Sequence, residues 1–307
     1  MKFIFKVLFF FILLYVFTVL LRIFVIEVFW VPSESMEPNV KAKSYIVIEK
    51  LSYGALLPQS IDEIPWTNSI LLFSQKLEYF LSKKRWEYKR VCAREKIQKG
   101  DILVFHTPAD TCLLLKRCIG LPGDSLCIED NIWYCGERDC DYSSKTVCDF
   151  EIVEEKNELN KFILKNHILR WSEFKQGDCI FKVKLRGDHV KRLEESKLLK
   201  YLDSSNCVDS LMLKAFLLNF KIPKKGDTIC LNHRNFGFYS SLINRYEDNI
   251  ISILDSNFYI NGKKDNKFII ENDYYLLLGD NRSNSQDSRK FGLIPMKLII
   301  GRMIYIL

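Results

Sequence analysis

Leu113-Leu-Leu-Lys-Arg-Cys-Ile-Gly-Leu-Pro-Gly-Asp124 sets three leucines directly before Lys116 and ends in a Pro-Gly-Asp turn. It lies in a strand-rich stretch that opens at Lys99-Gly-Asp101 and runs to Ile128. A lysine amine accepts a proton only when it is neutral, and burial among apolar side chains disfavours its charged form. A solvated lysine at a strand end would need no such company. Upstream, Val31-Pro-Ser-Glu-Ser-Met-Glu-Pro38 holds Ser35 between Pro32 and Pro38, which restrict the backbone on either side. A serine hydroxyl is a weak nucleophile until a nearby base takes its proton. Ser35 and Lys116 together point to Ser/Lys hydrolase chemistry beside an apolar N-terminal segment.

That segment, Val7 to Leu21, carries no charge, and widening it to Phe3–Val31 adds only Lys6, Arg22 and Glu27. A spanning helix needs about 20 mostly apolar residues, and a cleavable signal peptide only about 7–15. The next residues, Ile23-Phe-Val-Ile-Glu-Val-Phe-Trp30, contain no small-x-small cleavage site, so residues 1–25 are expected to form an uncleaved anchor. Lys2 and Lys6 favour a cytoplasmic N-terminus, and Arg22 at the far end weakens that bias.

The 307 residues carry 45 Lys+Arg against 38 Asp+Glu, a formal charge of +7. This excess suits an anionic membrane surface, or solubility alone. No Arg/Lys stripe with interleaved aromatics and no zinc-finger spacing is present, so no nucleic acid is expected as a partner. The ten cysteines form no Cys-x-x-Cys pair, and no cofactor or metal is expected. Cys112, Cys118 and Cys127 read as buried free thiols. Cys135 and Cys140 flank a Gly-Glu-Arg-Asp turn, as a local disulfide or as two thiols.

Ile23–Trp30 and Tyr45–Leu51 read as strands, dense in β-branched and aromatic residues. Residues 56–97 form an amphipathic excursion with a basic end, Lys83-Lys-Arg-Trp-Glu-Tyr-Lys-Arg90, that lies on a bilayer or packs on the core. From 130 to about 225 the charge is mixed and the apolar spacing helix-like, over Glu151–Gln176 and Val190–Phe220. Strand signals return at Asp227–Leu231 and at Asn257-Phe-Tyr-Ile-Asn-Gly262, whose Asn-Gly suits a hairpin. They continue at Tyr274–Gly279 and Leu298–Ile306.

A further segment, Gly279-Asp-Asn-Arg-Ser-Asn-Ser-Gln-Asp-Ser-Arg289, is followed after Lys290 by Phe291-Gly-Leu-Ile-Pro295. Together with Ser35-Met36 and Lys116-Arg117 it resembles, in order, the signatures of the bacterial type I signal peptidases. Tyr45-Ile-Val-Ile-Glu-Lys-Leu-Ser-Tyr-Gly54, Lys99-Gly-Asp-Ile-Leu-Val-Phe105, Tyr259-Ile-Asn-Gly-Lys263 and Asp273-Tyr-Tyr275 extend the resemblance to roughly half the chain. It implies a mainly β fold: an antiparallel β catalytic domain in two parts, 26–129 and 257–307, with an inserted α+β second domain over 130–256.

The resemblance also implies roles. Ser35 would be the nucleophile and Lys116 the general base, with Ser33 adding its hydroxyl to the oxyanion hole. Ser285 would bond and orient the lysine ammonium, Asp287 and Arg289 would form a supporting pair, and Asp280 would hold that loop. Arg117 is expected in a structural ion pair and Glu34 to face solvent. Family members often have Asp where Ser283 stands, which removes one charge here. The implied partners are preproteins carrying signal peptides and the lipid bilayer, cut after small-x-small sequences on the outer side of the plasma membrane.

Rival chemistry is weak. A Ser-His-Asp hydrolase needs a nucleophile elbow, and Gly-x-Ser-x-Gly is absent while His106, His167, His189 and His233 are scattered. Ser172-Glu-Phe-Lys175 matches Ser-x-x-Lys without the companion motifs of penicillin-interacting enzymes. The remaining alternative is a membrane-anchored scaffold that keeps the fold without activity.

Overall fold

The computed structural model describes residues 2–65, 86–91, 93–107, 112–129, 132–135, 138–139, 146–175, 178–198, 200, 202–203 and 220–307. Most of the 56–97 excursion's apolar tip, the Cys135–Cys140 pairing and residues 204–219 lie outside the described residues.

Helix α1, Lys2–Phe24, is 23 residues long and buries none of its apolar span against the rest of the protein. An all-round apolar helix of this length is stable only in an apolar surrounding such as a bilayer. Its C-terminal end is fastened to the body. Lys50 Nζ donates to the Arg22 carbonyl at 2.9 Å and to Glu27 at 2.7 Å, and Glu27 also takes Arg22 Nε at 2.7 Å. Lysine near a helix C-terminus satisfies carbonyls that have no partner within the helix.

The chain turns directly into the main sheet, whose strands are β1 (Ile26–Trp30), β2 (Tyr45–Glu49), β3 (Ile102–His106) and β4 (Leu113–Gly120), then three from the C-terminal part. Between the two groups lie β5 (Val147–Ile152), α2 (Asn157–Lys165), β6 (Arg170–Lys175), β7 (Asp178–Arg186), α3 (Gly187–Glu195), β8 (Leu202–Asp203) and α4 (Phe236–Tyr246). The last three strands are β9 (Tyr274–Leu278), β10 (Ile294–Pro295) and β11 (Ile299–Ile306). The order β1-β2-β11-β3-β4-β9-β10 is antiparallel at every pairing. Alternation along β2 buries Ile46 and Ile48 and turns Tyr45 outward.

Three apolar clusters cover the main sheet. One joins Val31, Met36, Ile46, Ile48, Val104, Leu115 and Ile300. A second centres on Tyr53, Leu103, Phe105, Cys118 and Leu277. A third packs α4 onto β9 through Leu242, Ile243, Tyr274, Leu276 and Leu278, which leaves β9 buried along its whole length. Each fully buried Leu, Ile or Val contributes about 1.5–3 kcal/mol. Residues 147–203 carry a cluster of their own, Phe150, Leu159, Ile163, Val183, Leu185, Val190 and Leu193, under the sheet β6-β7-β5-β8.

Within the described part of Glu151–Gln176 the chain completes β5, forms the single helix α2 and continues into strand β6, rather than helix throughout. Trp171, Phe174 and their neighbours pair with β7, and that cross-strand ladder overrides the helix-like spacing. Asn261 and Gly262 form the expected two-residue hairpin turn with φ of 50° and 78°, both left-handed. Among the described cysteines, Cys118 is a buried thiol, as expected, but Cys112 is exposed and lies just before β4 rather than in it. Cys148, in β5, is disulfide-bonded.

Candidate active site

Leu103 on β3 pairs with Lys116 on β4, while the β9 ladder reaches β4 only at Arg117, opposite Leu278. Lys116 thus sits at the first residue beyond that ladder, supported on one side by β3 alone. The turn after β1 brings Ser35 to it. Lys116 Nζ lies 2.6 Å from Ser35 Oγ, with exposures of 2% for the lysine and 7% for the serine. The amine's other contact is the Leu115 carbonyl at 2.9 Å. Burial pushes the Lys116 pKa down to about 8, against the opposing pull of Asp287 and Asp280. The leucines before Lys116 divide their duty: Leu115 enters the apolar cluster beside Ser35 and Leu114 packs against the cluster on the sheet's other face.

Ser33 is exposed, with its Oγ 3.2 Å from Ser35 Oγ, so its hydroxyl is within reach of the reacting atom. Glu34 is exposed, as expected for a residue whose side chain faces solvent. An apolar wall stands beside Ser35. Val31, Ile46 and Ile48 are buried in the cluster with Met36, whereas Trp30 and Tyr45, 53% and 54% exposed, sit opposite each other on the outer face. Phe29 and Leu115 complete the wall.

The 279–289 loop supports both residues from below. Asp280 is fully buried and receives Arg117 through Nε at 2.7 Å and Nη2 at 2.6 Å, a two-pronged pair of the kind that fixes geometry as well as charge. Asn39 Nδ2 donates to the same carboxylate at 2.8 Å. Asp287 accepts Arg289 on both oxygens at 2.9 Å and the Gly279 N–H at 2.9 Å. Burial alone would raise the Asp287 pKa, but the Arg289 charge and these hydrogen bonds outweigh it and hold the carboxyl below its ordinary range. Arg282 Nε donates to the Gly279 carbonyl at 3.0 Å.

Ser285 departs from expectation. Its hydroxyl favours the ionised form of Asp287, and among the described residues no hydrogen bond of ordinary geometry ties it to Lys116. Lys116 Nζ is committed instead to Ser35 and the Leu115 carbonyl, and Ser285 packs against Gly279, where an added Cβ would meet its Oγ at 2.1 Å. Sequence reasoning also missed Asn39 and Asn281. The Asn281 N–H donates to the Ser35 carbonyl at 3.0 Å and its Nδ2 to the Glu34 carbonyl at 3.3 Å. Asn281 lies inside the quoted motif, but a role played by main-chain atoms leaves no trace in side-chain chemistry. Among the described residues no group of His, Cys, Asp and Glu is arranged to hold a metal.

The family model described as "Signal peptidase, peptidase S26" matches residues 4–193 and 220–307. Signal peptidase I of Buchnera aphidicola subsp. Baizongia pistaciae is 27% identical over 288 residues, covering 94% of this chain and 71% of the relative. Its namesake from Buchnera aphidicola subsp. Schizaphis graminum is 25% identical over 289 residues, 92% of this chain and 68% of that protein. Signal peptidase I of Rickettsia massiliae is 33% identical over 120 residues, 39% of this chain and 38% of the relative. A match over nearly the whole chain, on a mostly antiparallel β body with an apolar N-terminal helix, means that the chain belongs to the peptidase S26 family of signal peptidases, serine endopeptidases that remove signal peptides.

Proposed function

We propose that the chain cleaves preproteins at the membrane surface with Ser35 as nucleophile and Lys116 as general base. The observation that carries this reading is the 2.6 Å approach of a buried lysine amine to a buried serine hydroxyl. With the amine neutral, the Ser35 hydroxyl donates to the Nζ lone pair and Oγ attacks the scissile carbonyl carbon. The oxyanion that forms is met by the Ser33 hydroxyl and the Ser35 N–H, donors placed where charge develops. The Lys116 ammonium then gives its proton to the leaving amine as the C–N bond breaks. In the second half a water loses its proton to Lys116, attacks the acyl carbonyl and releases Ser35. Asp280, Asp287, Arg289 and Ser285 act on the loop beneath and touch no substrate.

The substrate enters as an added strand. β1 is an edge strand and the Leu113–Lys116 half of β4 lies outside the β9 ladder, so both offer main-chain groups to an extended peptide. Alternate residues of such a peptide face the same side. The wall they meet, Val31, Met36, Leu115 and Phe29, is already close-packed, with Met36 at zero exposure, and leaves only shallow depressions. A preprotein with Ala-x-Ala before the scissile bond should be processed, and leucine or phenylalanine at either alanine position should stop cleavage. Equal turnover of the alanine and leucine substrates would refute the pockets.

The bilayer is the second partner. Helix α1 spans it with Lys2 and Lys6 on the cytoplasmic side, and the catalytic body stands on the outer face of the bacterial plasma membrane. An exposed apolar row, Val28, Trp30, Tyr45, Tyr305 and Leu307, runs across β1, β2 and the end of β11, as suits an aromatic surface resting in the headgroup layer. Protease added to intact spheroplasts should digest the chain beyond about residue 30. A protected body in intact spheroplasts that becomes digestible on lysis would reverse the orientation.

A further inference from the structure

Ser283 stands where two parts of the chain meet. Its Oγ accepts the Asp149 N–H at 2.7 Å, and the neighbouring Val147 N–H donates to the Asp280 carbonyl at 2.8 Å. Val147 and Asn281 form an isolated parallel bridge, and Cys148 Sγ lies 3.6 Å from the Ser283 hydroxyl. These contacts join β5, which belongs to the separately packed 147–203 segment, to the loop that supports the dyad. On the loop's other side, the Asn281 N–H holds the Ser35 carbonyl. A line of hydrogen bonds therefore runs from β5 through Ser283 and Asp280–Asn281 to the main chain of Ser35.

We infer that Ser283 is a positioning residue for cleavage, through which the 147–203 segment holds the 279–289 loop, and with it Ser35, at the distance the proton transfer needs. The inference rests on the reading of Ser35 as nucleophile. A hydroxyl suits this place for a local reason. Its oxygen accepts the Asp149 N–H and adds no charge to a junction where Asp149, half-buried, already has Lys184 at 3.7 Å as its ion-pair partner.

The full-length enzyme in detergent, assayed with an Ala-x-Ala preprotein below its melting temperature, tests this. Ser283→Ala is expected to lower kcat about 10- to 100-fold, the scale of a displacement near 1 Å at a reacting group, with KM unchanged because the substrate edges are untouched. Ser283→Thr keeps the hydroxyl and should restore kcat. Full kcat in Ser283→Ala, or a loss that Ser283→Thr does not restore, overturns the positioning role. Ser35→Ala separates the two levels: inactivity there beside full activity in Ser283→Ala removes the positioning role alone, whereas activity in Ser35→Ala removes the nucleophile assignment beneath it.

Discussion

Lys116→Arg is expected to process no preprotein at any pH, and Ser35→Ala to match it, each losing roughly 10⁴-fold or more in kcat. The guanidinium stays protonated throughout the accessible range and cannot take the serine proton. The wild-type enzyme should show the pH dependence of its base. With the Lys116 pKa lowered to about 8, the neutral amine that acts as base is roughly one-tenth of the total at pH 7. Activity should climb as pH rises, pass half-maximum near pH 8 and level off above it. An exposed lysine would still be climbing near pH 10.

The same shift has a consequence for stability. The folded lysine releases its proton at lower pH than the unfolded one, so the unfolded chain binds more protons between about 8 and 10.5, and stability rises with pH across that window. Below it, burying the charged amine costs stability. Lys116→Met, apolar and similar in length, should therefore be inactive at neutral pH yet melt no lower than the wild type. Near-normal cleavage by Lys116→Arg would place the base elsewhere.

How much of this was legible beforehand depends on which atoms do the work. The strands announced themselves through β-branched runs and the Asn261-Gly262 turn, and α1 through its uninterrupted apolar length. Ser35 and Lys116 were visible because a proline-bounded serine and a leucine-flanked lysine are chemically odd pairings, and the resemblance joined them. The α+β character of 147–203 was only half visible. Its strands alternate charged and apolar residues, as in Asp178-Cys-Ile-Phe-Lys-Val-Lys-Leu-Arg186, and partner choice rather than local pattern decides between helix and strand. The clasp of Lys50 on the end of α1 and the bond from Asn281 to Ser35 use main-chain carbonyls, which every residue has. No sequence pattern marks which of them are used.

Gly279→Ala is expected to abolish turnover while leaving most of the fold in place. A Cβ built at Gly279 would lie 2.1 Å from Ser285 Oγ, 2.5 Å from Ser285 Cβ and 2.7 Å from the Ser35 carbonyl oxygen. The Ser285 hydroxyl can rotate away from the first contact, whereas the Cβ of this half-buried residue yields only with a small shift of its own backbone. The third is main chain of the nucleophile itself, pinned by the Asn281 N–H at 3.0 Å, and can yield only by moving Ser35. Overpacking of this kind typically costs about 1–3 kcal/mol of stability, a modest fall in melting temperature. The catalytic cost is larger, because the same displacement lengthens the 2.6 Å approach of Lys116 Nζ to Ser35 Oγ on which proton transfer depends. A second substitution separates the two effects. Ser285→Gly removes the side-chain part of the clash, so Gly279→Ala/Ser285→Gly should regain melting temperature relative to Gly279→Ala alone. It should not regain turnover, because the alanine methyl still presses on the Ser35 carbonyl. Wild-type kcat in Gly279→Ala would mean that Ser35 tolerates displacement from the loop beneath it, and the tight coupling between that loop and the dyad would have to be abandoned.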